Sequence, residues 1–357
     1  MILIKKLLTI TIPAYNVEKY LVRCLNSIVK CSKYLDMIEV LIVDDGSIDN
    51  TKNIAEKYVE KYPKTFYLFS KENGGHGSTI NYGISHASGL YFLVLDGDDW
   101  LDTSALEKLI DYIQKIQQKN IDLISYHYKK VDMITGRSET ICQNKVEYQK
   151  IYQFDQLPIK DIYFALASTC YKTDILKQMN LKLQEHTYYV DVEYILLPMP
   201  HIRNIIFLDI YLYKYFVGNT VQSIYIPNMV KRYPDHNRVM HRIIDELEMK
   251  NLTEKHKEYI YSIIEKLLYT HYAISLIYNS DEIQGIKWAE DFDCYLKNTS
   301  KELYKRTNNS IHFIKIYRRY NFSIKKIKNA RCYKLYIKLN QKCKNIIEKI
   351  WRILEYV

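Results

Sequence analysis

Two aspartates in the segment DGDD, Asp96 and Asp98, have the type and spacing of a metal-binding pair. Carboxylates this close repel one another unless a positive charge lies among them. An Asp-x-Asp pair offers the hard oxygen ligands that Mg²⁺ and Mn²⁺ prefer, and such an ion usually keeps several waters and bridges to substrate phosphates. The pattern therefore predicts a divalent-metal site at Asp96 and Asp98.

The element that must position this pair is the apolar run Tyr91–Leu95, which stops at Asp96. Five apolar residues without alternation are typical of a strand buried on both faces of a parallel sheet. Its carboxyl end would lie at the sheet edge where open α/β folds bind ligands. The alternative is an acidic turn without chemistry, in which Asp102 or Thr103 caps a helix over residues 104–118.

Earlier strands are predicted to end in the same way. Leu7–Ile12 runs into PAYN and Glu39–Val43 runs into DDGS, and a third strand over Phe66–Phe69 precedes the segment NGGHGS. Helices are predicted between the strands, over about 17–30, from 49 or 50 to 62, and over 79–87. Because this alternation predicts a parallel sheet with its loops on one edge, the three motifs PAYN, DDGS and DGDD should meet in one cleft. The convergence of these three motifs predicts a binding site for the phosphates of a nucleotide.

The ordered set IPAYN, VDDGSIDNT, ENGGHGSTINYGISHASG and YFLVLDGDDW resembles the family 2 glycosyltransferases of the GT-A fold, which are inverting enzymes that use nucleotide-activated sugars. The resemblance covers about the first 115 residues strongly and continues more weakly to about residue 225. It implies an α/β, mainly parallel, doubly wound GT-A catalytic domain over residues 1–225. Residues 226–357 would form an α-helical C-terminal extension.

The resemblance also implies roles for individual residues. Pro13 and Tyr15 would lie against the nucleoside, and Asp44 would accept the N3–H of uracil. Asp98, with Asp96, would hold the Mn²⁺ or Mg²⁺ ion that bridges the diphosphate. The predicted substrate-binding residues are Pro13, Ala14, Tyr15, Asn16, Asp44, Asp45, Asn73, Gly74, Gly75, Asn81, Asp96, Gly97 and Asp98. His76 is left out of the site, because a loop histidine without a spaced partner is more often incidental.

Asp191 is the predicted general base. In the family a Glu-Asp pair in the second half of the domain commonly carries it, and here Val190 stands in place of the glutamate. One carboxylate must face the diphosphate and remove the proton of the acceptor hydroxyl as that oxygen attacks C1 of the sugar. Glu193 and Glu185 are rivals for this role, and Asp191 could instead be a helix N-cap.

The net charge of +10 belongs to the end of the chain. Residues 301–357 hold 16 of the 51 Lys and Arg residues but only 3 of the 41 Asp and Glu residues. The stripe Leu335, Leu339, Cys343, Ile346, Ile350 and Leu354, with Lys and Arg beside it, predicts a basic amphipathic helix. Such a helix fits an anionic membrane surface, with packing on its own domain or a subunit contact as the alternatives. Nucleic acid is disfavoured because no binding module accompanies the basic residues.

The whole sequence is therefore interpreted as a cytoplasmic glycosyltransferase, peripheral on the inner face of the membrane if the tail binds there. It would move a sugar from a UDP-sugar to a hydroxyl of a glycan or lipid-linked glycan, such as a capsule, exopolysaccharide or teichoic-acid-like acceptor. The alternative is a catalytically silent nucleotide- or glycan-binding subunit of an envelope assembly. A sugar-1-phosphate nucleotidyltransferase is disfavoured, since PAYN stands where a GxGxR loop is expected. The sugar, the acceptor and any homo-oligomer are left open.

Overall fold

A computed structural model describes residues 6–132, 135–217 and 226–329 of the chain. The chain divides into two compact units, Met1–Asn219 and Thr220–Val357. The division predicted at residues 225 and 226 stays a prediction, because residues 218–225 lie outside the described part. The first unit carries the sheet and every residue of the predicted site.

The first unit is built on one mixed sheet of ten strands in the order β3-β2-β1-β4-β9-β6-β10-β5, with β7 beside β6 and β8 beside β10. The strands are β1 Leu8–Ala14, β2 Ile38–Asp44, β3 Phe66–Ser70, β4 Tyr91–Val94, β5 Trp100–Leu101, β6 Leu123–Asp132, β7 Ser138–Ile141, β8 Ile151–Gln153, β9 Thr169–Lys172 and β10 Asn204–Val217. The long pairings are parallel: β1 with β2 and β4, β2 with β3, and β6 with β10. The shorter strand β9 joins the two parallel groups by antiparallel pairing with β4 and β6.

Helices cover this sheet where the sequence alternates between strand and helix patterns. They are α1 Glu18–Val29, α2 Thr51–Lys61, α3 His76–His86, α4 Thr103–Ile116, α5 Thr173–Gln178 and α6 Val190–Leu196. Every residue of β1, β2 and β4 is buried, which confirms the prediction of strands covered on both faces. Asp102 is the N-cap of α4 and accepts a hydrogen bond from Ala105 N, as its sequence position predicted.

Some element boundaries differ from the predicted ones: β1 continues past Ile12 to Ala14, and α3 begins before residue 79. The predicted helix at residues 79–87 begins earlier, at His76, because Gly75 adopts φ +83° and its carbonyl accepts the first helical bond from Ser78 N. Strand β10 begins at Asn204, where Asp122 accepts from the backbone N–H groups of Arg203 and Asn204 and fixes the start of the strand.

The second unit is helical over residues 226–329. Its helices are α7 Ile226–Lys231, α8 Tyr233–Glu248, α9 Glu254–Ala273, α10 Glu282–Thr299, α11 Lys301–Ser310, α12 His312–Arg319 and α13 Ile324–Asn329. None of the helices in the described ranges is long and apolar enough to cross a membrane. The predicted basic amphipathic helix at residues 334–352 lies outside the described residues, so its membrane contact stays a prediction.

Candidate active site at the carboxyl edge of the sheet

Three sequence motifs meet at the carboxyl ends of the neighbouring strands β1, β2 and β4. Ala14 pairs with Asp44 in the parallel register, and Asp45 N donates to Ala14 O at 2.9 Å. On the other side of β1, Gly97 N donates to Pro13 O at 3.2 Å. PAYN, DDGS and DGDD are therefore joined by backbone hydrogen bonds at one edge of the sheet, where the sequence predicted that they meet.

The first two motifs form a small polar platform. Asn16 N donates to Ser47 Oγ at 3.1 Å, and Asn16 Oδ1 accepts from Ile48 N at 2.9 Å. The Tyr15 side chain beside them is 51 % exposed, whereas Asp44 is buried and accepts from Ser47 N at 3.1 Å. An exposed ring next to a buried carboxylate suits a flat ligand with a hydrogen-bond donor on its edge.

Asp45, a predicted substrate contact, is bonded to groups inside the protein. Its buried carboxylate is 2.7 Å from Lys71 Nζ and accepts from the backbone N–H groups of Gly74 and Gly75 at 2.9 and 2.8 Å. Its carbonyl also accepts from Asn73 Nδ2 at 3.0 Å. Asp45 therefore organises the glycine-rich loop from inside the protein, and these contacts give no support to a direct contact with substrate.

The glycine-rich loop, residues 73–77, is pressed against a second segment of the chain. A Cβ on Gly77 would lie 2.2 Å from Gln184 O, and His186 N donates to Gly74 O at 2.6 Å. Asn81, predicted to bind substrate, instead bonds through its side-chain amide to the backbone of Leu183. The sequence predicted close approach of a nucleotide here, and the structure adds close approach of residues 183–187.

The DGDD turn carries the predicted metal ligands. Asp98 is half-buried, and burial together with the neighbouring Asp96 raises the pKa of its carboxyl group to about 6. Arg23 Nη2 donates to the Asp98 carbonyl at 2.8 Å, and the guanidinium lies 3.8 Å from the centroid of the Trp100 ring. Arg23 therefore holds the backbone of the turn through the Asp98 carbonyl and not through its carboxylate.

The third aspartate of the turn anchors it to β10. Asp99 is 1 % exposed and accepts from Tyr213 Oη and Phe216 N, both at 2.7 Å. Asp96 N donates to the same Tyr213 oxygen at 3.1 Å. Burial and the nearby Asp98 raise the pKa of Asp99. The turn is thus fixed on both sides of Asp98 by a strand more than a hundred residues away.

The two carboxylates Asp96 and Asp98 fit a divalent cation. The described residues include no group of three or more His, Cys, Asp or Glu side chains arranged to hold a metal. Mg²⁺, however, is commonly held by one or two carboxylates together with substrate phosphates and waters. Among the described residues, no lysine or arginine forms an ion pair with Asp98, so its charge stays available to a cation.

His76 is a site residue that the sequence interpretation missed. Its Nε2 lies 2.8 Å from Asp96 Oδ1, at the first residue of α3. Burial alone would lower the pKa of this imidazole, but the charges of Asp96 and then Asp191 outweigh burial, so the pKa is raised. The available signal was its place at the start of a helix directly after a glycine-rich loop.

Asp191 lies close to this group. It is half-buried at the second residue of α6, and burial raises the pKa of its carboxyl group to about 6, with the positive charge of His76 acting in the opposite direction. The N-cap of α6 is Tyr189, so Asp191 is not the cap. The predicted rivals lie elsewhere: Glu193 is fully buried and accepts from Gln184 N at 2.9 Å, and Glu185 is exposed.

Tyr215 on β10 is a second residue that sequence reasoning missed. Burial, and after it the negative charges of Asp99, Asp96, Asp98 and Asp191, raise the pKa of its phenol. The phenol is therefore within electrostatic range of the DGDD turn and of Asp191. The Nζ atom of the neighbouring Lys214 is 3.3 Å from Asp102 Oδ2, and this lysine is only partly exposed.

A family model described as glycosyl transferase family 2 matches residues 9–177, the part of the chain that carries these motifs. Residues 9–177 belong to glycosyl transferase family 2. This confirms the predicted family and the prediction that the chain carries a glycosyltransferase domain.

Curated family 2 relatives are larger than the matched segment. The minor teichoic acid biosynthesis protein GgaB of Bacillus subtilis (strain 168) is 30 % identical over 178 residues, which are 50 % of this chain and 19 % of that protein. Glycosyltransferase GlyG of Streptococcus pneumoniae serotype 4 is 30 % identical over 152 residues, 41 % of this chain and 49 % of that protein. The chain thus spans less than half the length of these two relatives.

Solved structures share the fold of the family 2 domain. TarS 1–349 of S. aureus, in complex with UDP-GlcNAc, superposes with a TM-score of 0.62 at 22 % identity, over 86 % of this chain and 91 % of that one. The mannosyltransferase PcManGT of Pyrobaculum calidifontis, in complex with GDP-Man and Mn²⁺, reaches 0.50 at 13 % identity, over 84 % and 83 %. The predicted GT-A fold with a helical C-terminal region is confirmed.

Proposed function

We propose that this chain transfers a sugar, with inversion, from a metal-bound UDP-sugar to a hydroxyl group of a cell-surface glycan. One observation carries the proposal: the carboxylate of Asp191 and the carboxylates of the DGDD turn act on the same imidazole, His76. A base and a diphosphate-binding turn are thus close to one another in one site. An inverting displacement needs both groups in one site, on opposite sides of the sugar, because the acceptor attacks from the side opposite the leaving group.

On the donor side, Tyr15 would stack on the nucleobase, and Asp44 would accept its imide N–H. A buried carboxylate selects for such a donor because a base without one would leave it unpaired. Asp96 and Asp98 would hold Mn²⁺ or Mg²⁺, which supplies positive charge where the diphosphate departs. UDP-GlcNAc bound to TarS and GDP-Man with Mn²⁺ bound to PcManGT support a nucleotide-sugar and metal for this fold.

On the acceptor side, Asp191 would take the proton of the attacking hydroxyl. The new bond forms between that oxygen and C1 of the sugar while the bond from C1 to the diphosphate breaks, so no covalent intermediate with the protein is needed. A pKa of about 6 suits this role, because the carboxylate is mostly ionised at neutral pH yet more basic than an ordinary aspartate.

The acceptor is proposed from the relatives. The name of GgaB assigns that protein to minor teichoic acid synthesis, and this supports a teichoic-acid-like or other polyhydroxylated surface polymer here. The alternative, a nucleotide-binding subunit without turnover, is motivated by Val190 in place of the glutamate of the family pattern.

Release of UDP from a panel of UDP-sugars with Mn²⁺ tests the proposal. Wild type, Asp98→Ala and Asp191→Asn are compared, with and without a mixed lipid-linked glycan acceptor. Asp174→Asn is the matched control, because this exposed aspartate follows the antiparallel β9 at the opposite edge of the sheet. We expect metal-dependent turnover of one sugar in wild type and control, and loss of it in the two site variants.

Two outcomes would contradict this reading. Metal-dependent UDP binding without turnover of any sugar would favour the silent subunit. Absence of UDP binding would exclude both functions.

A further inference from the structure

The segment Leu183–Tyr189, which we call the base loop, leads directly into the helix that carries Asp191. Its first residue is held by a reciprocal pair of hydrogen bonds with Asn81 on α3. Asn81 Nδ2 donates to Leu183 O at 2.9 Å, and Leu183 N donates to Asn81 Oδ1 at 2.7 Å. The Asn81 side chain is 8 % exposed, and this pair uses its donor and its acceptor on one distant residue.

Two further contacts press the base loop against the glycine-rich loop. His186 N donates to Gly74 O at 2.6 Å, and the absent side chain of Gly77 leaves room for Gln184 O, which a Cβ there would meet at 2.2 Å. Backbone packing this close is possible only at glycine. The base loop is therefore fixed at Leu183, Gln184 and His186 to α3 and to the glycine-rich loop that precedes it.

Glu193 holds the base loop from the other side. Its carboxylate is fully buried and accepts hydrogen bonds from the backbone N–H and the side-chain amide of Gln184. Glu193 lies on the same short helix, α6, as Asp191. Gln184 thus lies between the helix that carries the proposed base and Gly77, near the start of α3.

The base loop also contains two residues in backbone conformations that residues other than glycine rarely adopt. His186 has φ +49° and Tyr189 has φ +68°, and Tyr189 is the N-cap of the helix that carries Asp191. Such conformations persist only where the surroundings over-determine them, and they concentrate at functional sites. The contacts of Asn81, Gly77 and Glu193 supply that constraint.

We propose that Asn81 is a positioning residue for Asp191, acting on the acceptor side of the reaction rather than on the nucleotide. The proposal rests on the proposed function, in which Asp191 is the general base. The glycine-rich loop has its own anchors in Asp45, which binds the N–H groups of Gly74 and Gly75 and pairs with Lys71. Loss of the Asn81 contact should therefore move Asp191 and leave the nucleotide side in place.

The test separates binding from chemistry without an identified acceptor. Water serves as acceptor in the hydrolysis of UDP-GlcNAc, UDP-glucose and UDP-galactose with Mn²⁺, and titration calorimetry gives the Kd for UDP with Mn²⁺. A misplacement of about 1 Å in a reacting group can lower kcat about a hundredfold. We expect Asn81→Ala to lower kcat by that order while the Kd for UDP changes less than about twofold.

Three more variants make the result specific. Gly77→Ala should give the same separation, because its methyl group pushes on Gln184 without touching Asn81. Asp45→Asn should show the opposite separation, with a higher Kd for UDP and little change in kcat. Lys177→Ala is the matched control: it removes another long-range side-chain bond to backbone, Nζ to Ala87 O at 2.7 Å, and should change neither quantity.

The measurements distinguish failure of this inference from failure of the proposed function. If wild type neither binds UDP nor hydrolyses any of these donors, the proposed function fails and this inference fails with it. If wild type is active, the inference alone is overturned in either of two cases. One is that Asn81→Ala and Gly77→Ala weaken UDP binding as much as hydrolysis, and the other is that they change neither.

Discussion

His76 Nε2 lies 2.8 Å from Asp96 Oδ1, and the same imidazole carries a pKa raised by both Asp96 and Asp191. A histidine at the start of α3 therefore interacts electrostatically both with the turn that would hold the metal and with the carboxylate that would remove the proton. In return, the charge of His76 lowers the pKa of Asp191 against the effect of burial. The proposed metal-binding turn and the proposed base are thus electrostatically coupled to this one side chain.

Replacing His76 should shift the pH dependence of the reaction. Without the imidazolium, the pKa of Asp191 rises, so the acid limb of the kcat profile moves to higher pH. We expect this shift in both His76→Ala and His76→Gln, because both lack the charge. His76→Gln retains a donor for Asp96 and should keep a higher plateau rate than His76→Ala. An unshifted acid limb in both variants would show that His76 carries no charge in the working enzyme.

Wild-type activity should rise as the pH passes through about 6. The pKa values of Asp98 and Asp191 are both raised from 3.8 to about 6 by burial, and both groups must be ionised to act. Below that pH, protons compete with the metal at Asp98 and neutralise Asp191. Hydrolysis rates from pH 5 to 8, with the Mn²⁺ dissociation constant at each pH, measure the two effects separately. A flat profile over this range would contradict the assignment of Asp191.

Tyr213→Phe should destabilise the first unit and loosen the DGDD turn. The lost hydroxyl donates to the buried Asp99 at 2.7 Å, and a buried acceptor left unsatisfied costs about 1–3 kcal/mol. The matched control is Tyr91→Phe, which removes a neutral bond to Ile121 O at 3.0 Å and should cost about 1 kcal/mol. Urea unfolding measures both. The Mn²⁺ affinity should fall in Tyr213→Phe alone, and equal affinities would contradict the link to the metal site.

The helical unit should lose stability in mild acid. His236 Nδ1 and His271 Nδ1 are 2.9 Å apart in its core, and burial lowers the pKa of His236 from 6.5 to about 4 and that of His271 further. Because the unfolded chain binds the extra protons, stability is lost as the pH falls from 6.5 towards 4. The slope is about 1.4 kcal/mol per pH unit for each histidine.

Hydrogen exchange of peptides from α8 and α9 at pH 7.5, 6.5 and 5.5 reports this loss in the full chain. Peptides from β1 and β2 serve as the internal comparison, since their strands contain no histidine. We expect protection in α8 and α9 to decrease between pH 6.5 and 5.5, after correction for the intrinsic rate. Undiminished protection would show that the unfolded chain binds no more protons than the folded one in this range.

Much of the architecture follows from local sequence. The apolar runs of β1, β2 and β4 are long enough and uniform enough to require burial on both faces, and each ends at a motif rich in polar residues. The alternation of strands and helices predicts parallel strands, and parallel strands end at one edge of the sheet. The juxtaposition of Pro13, Asp44 and Asp98 follows from that alternation. The start of α3 was misplaced because a glycine at φ +83° can either end a loop or begin a helix.

The sequence by itself determined the family, the fold class and the motifs at the sheet edge. Each strand pattern and each motif consists of residues that are neighbours in the chain, so each can be recognised without the tertiary structure. Tertiary structure alone decided the partners: Asp96 for His76, Leu183 for Asn81 and Tyr213 for Asp99 lie 20, 102 and 114 residues away. It also gave Asp45 and Asn81, two predicted substrate contacts, hydrogen-bond partners inside the protein. A side chain's hydrogen-bond partner depends on which distant backbone the fold brings within about 3 Å, and no local pattern records that.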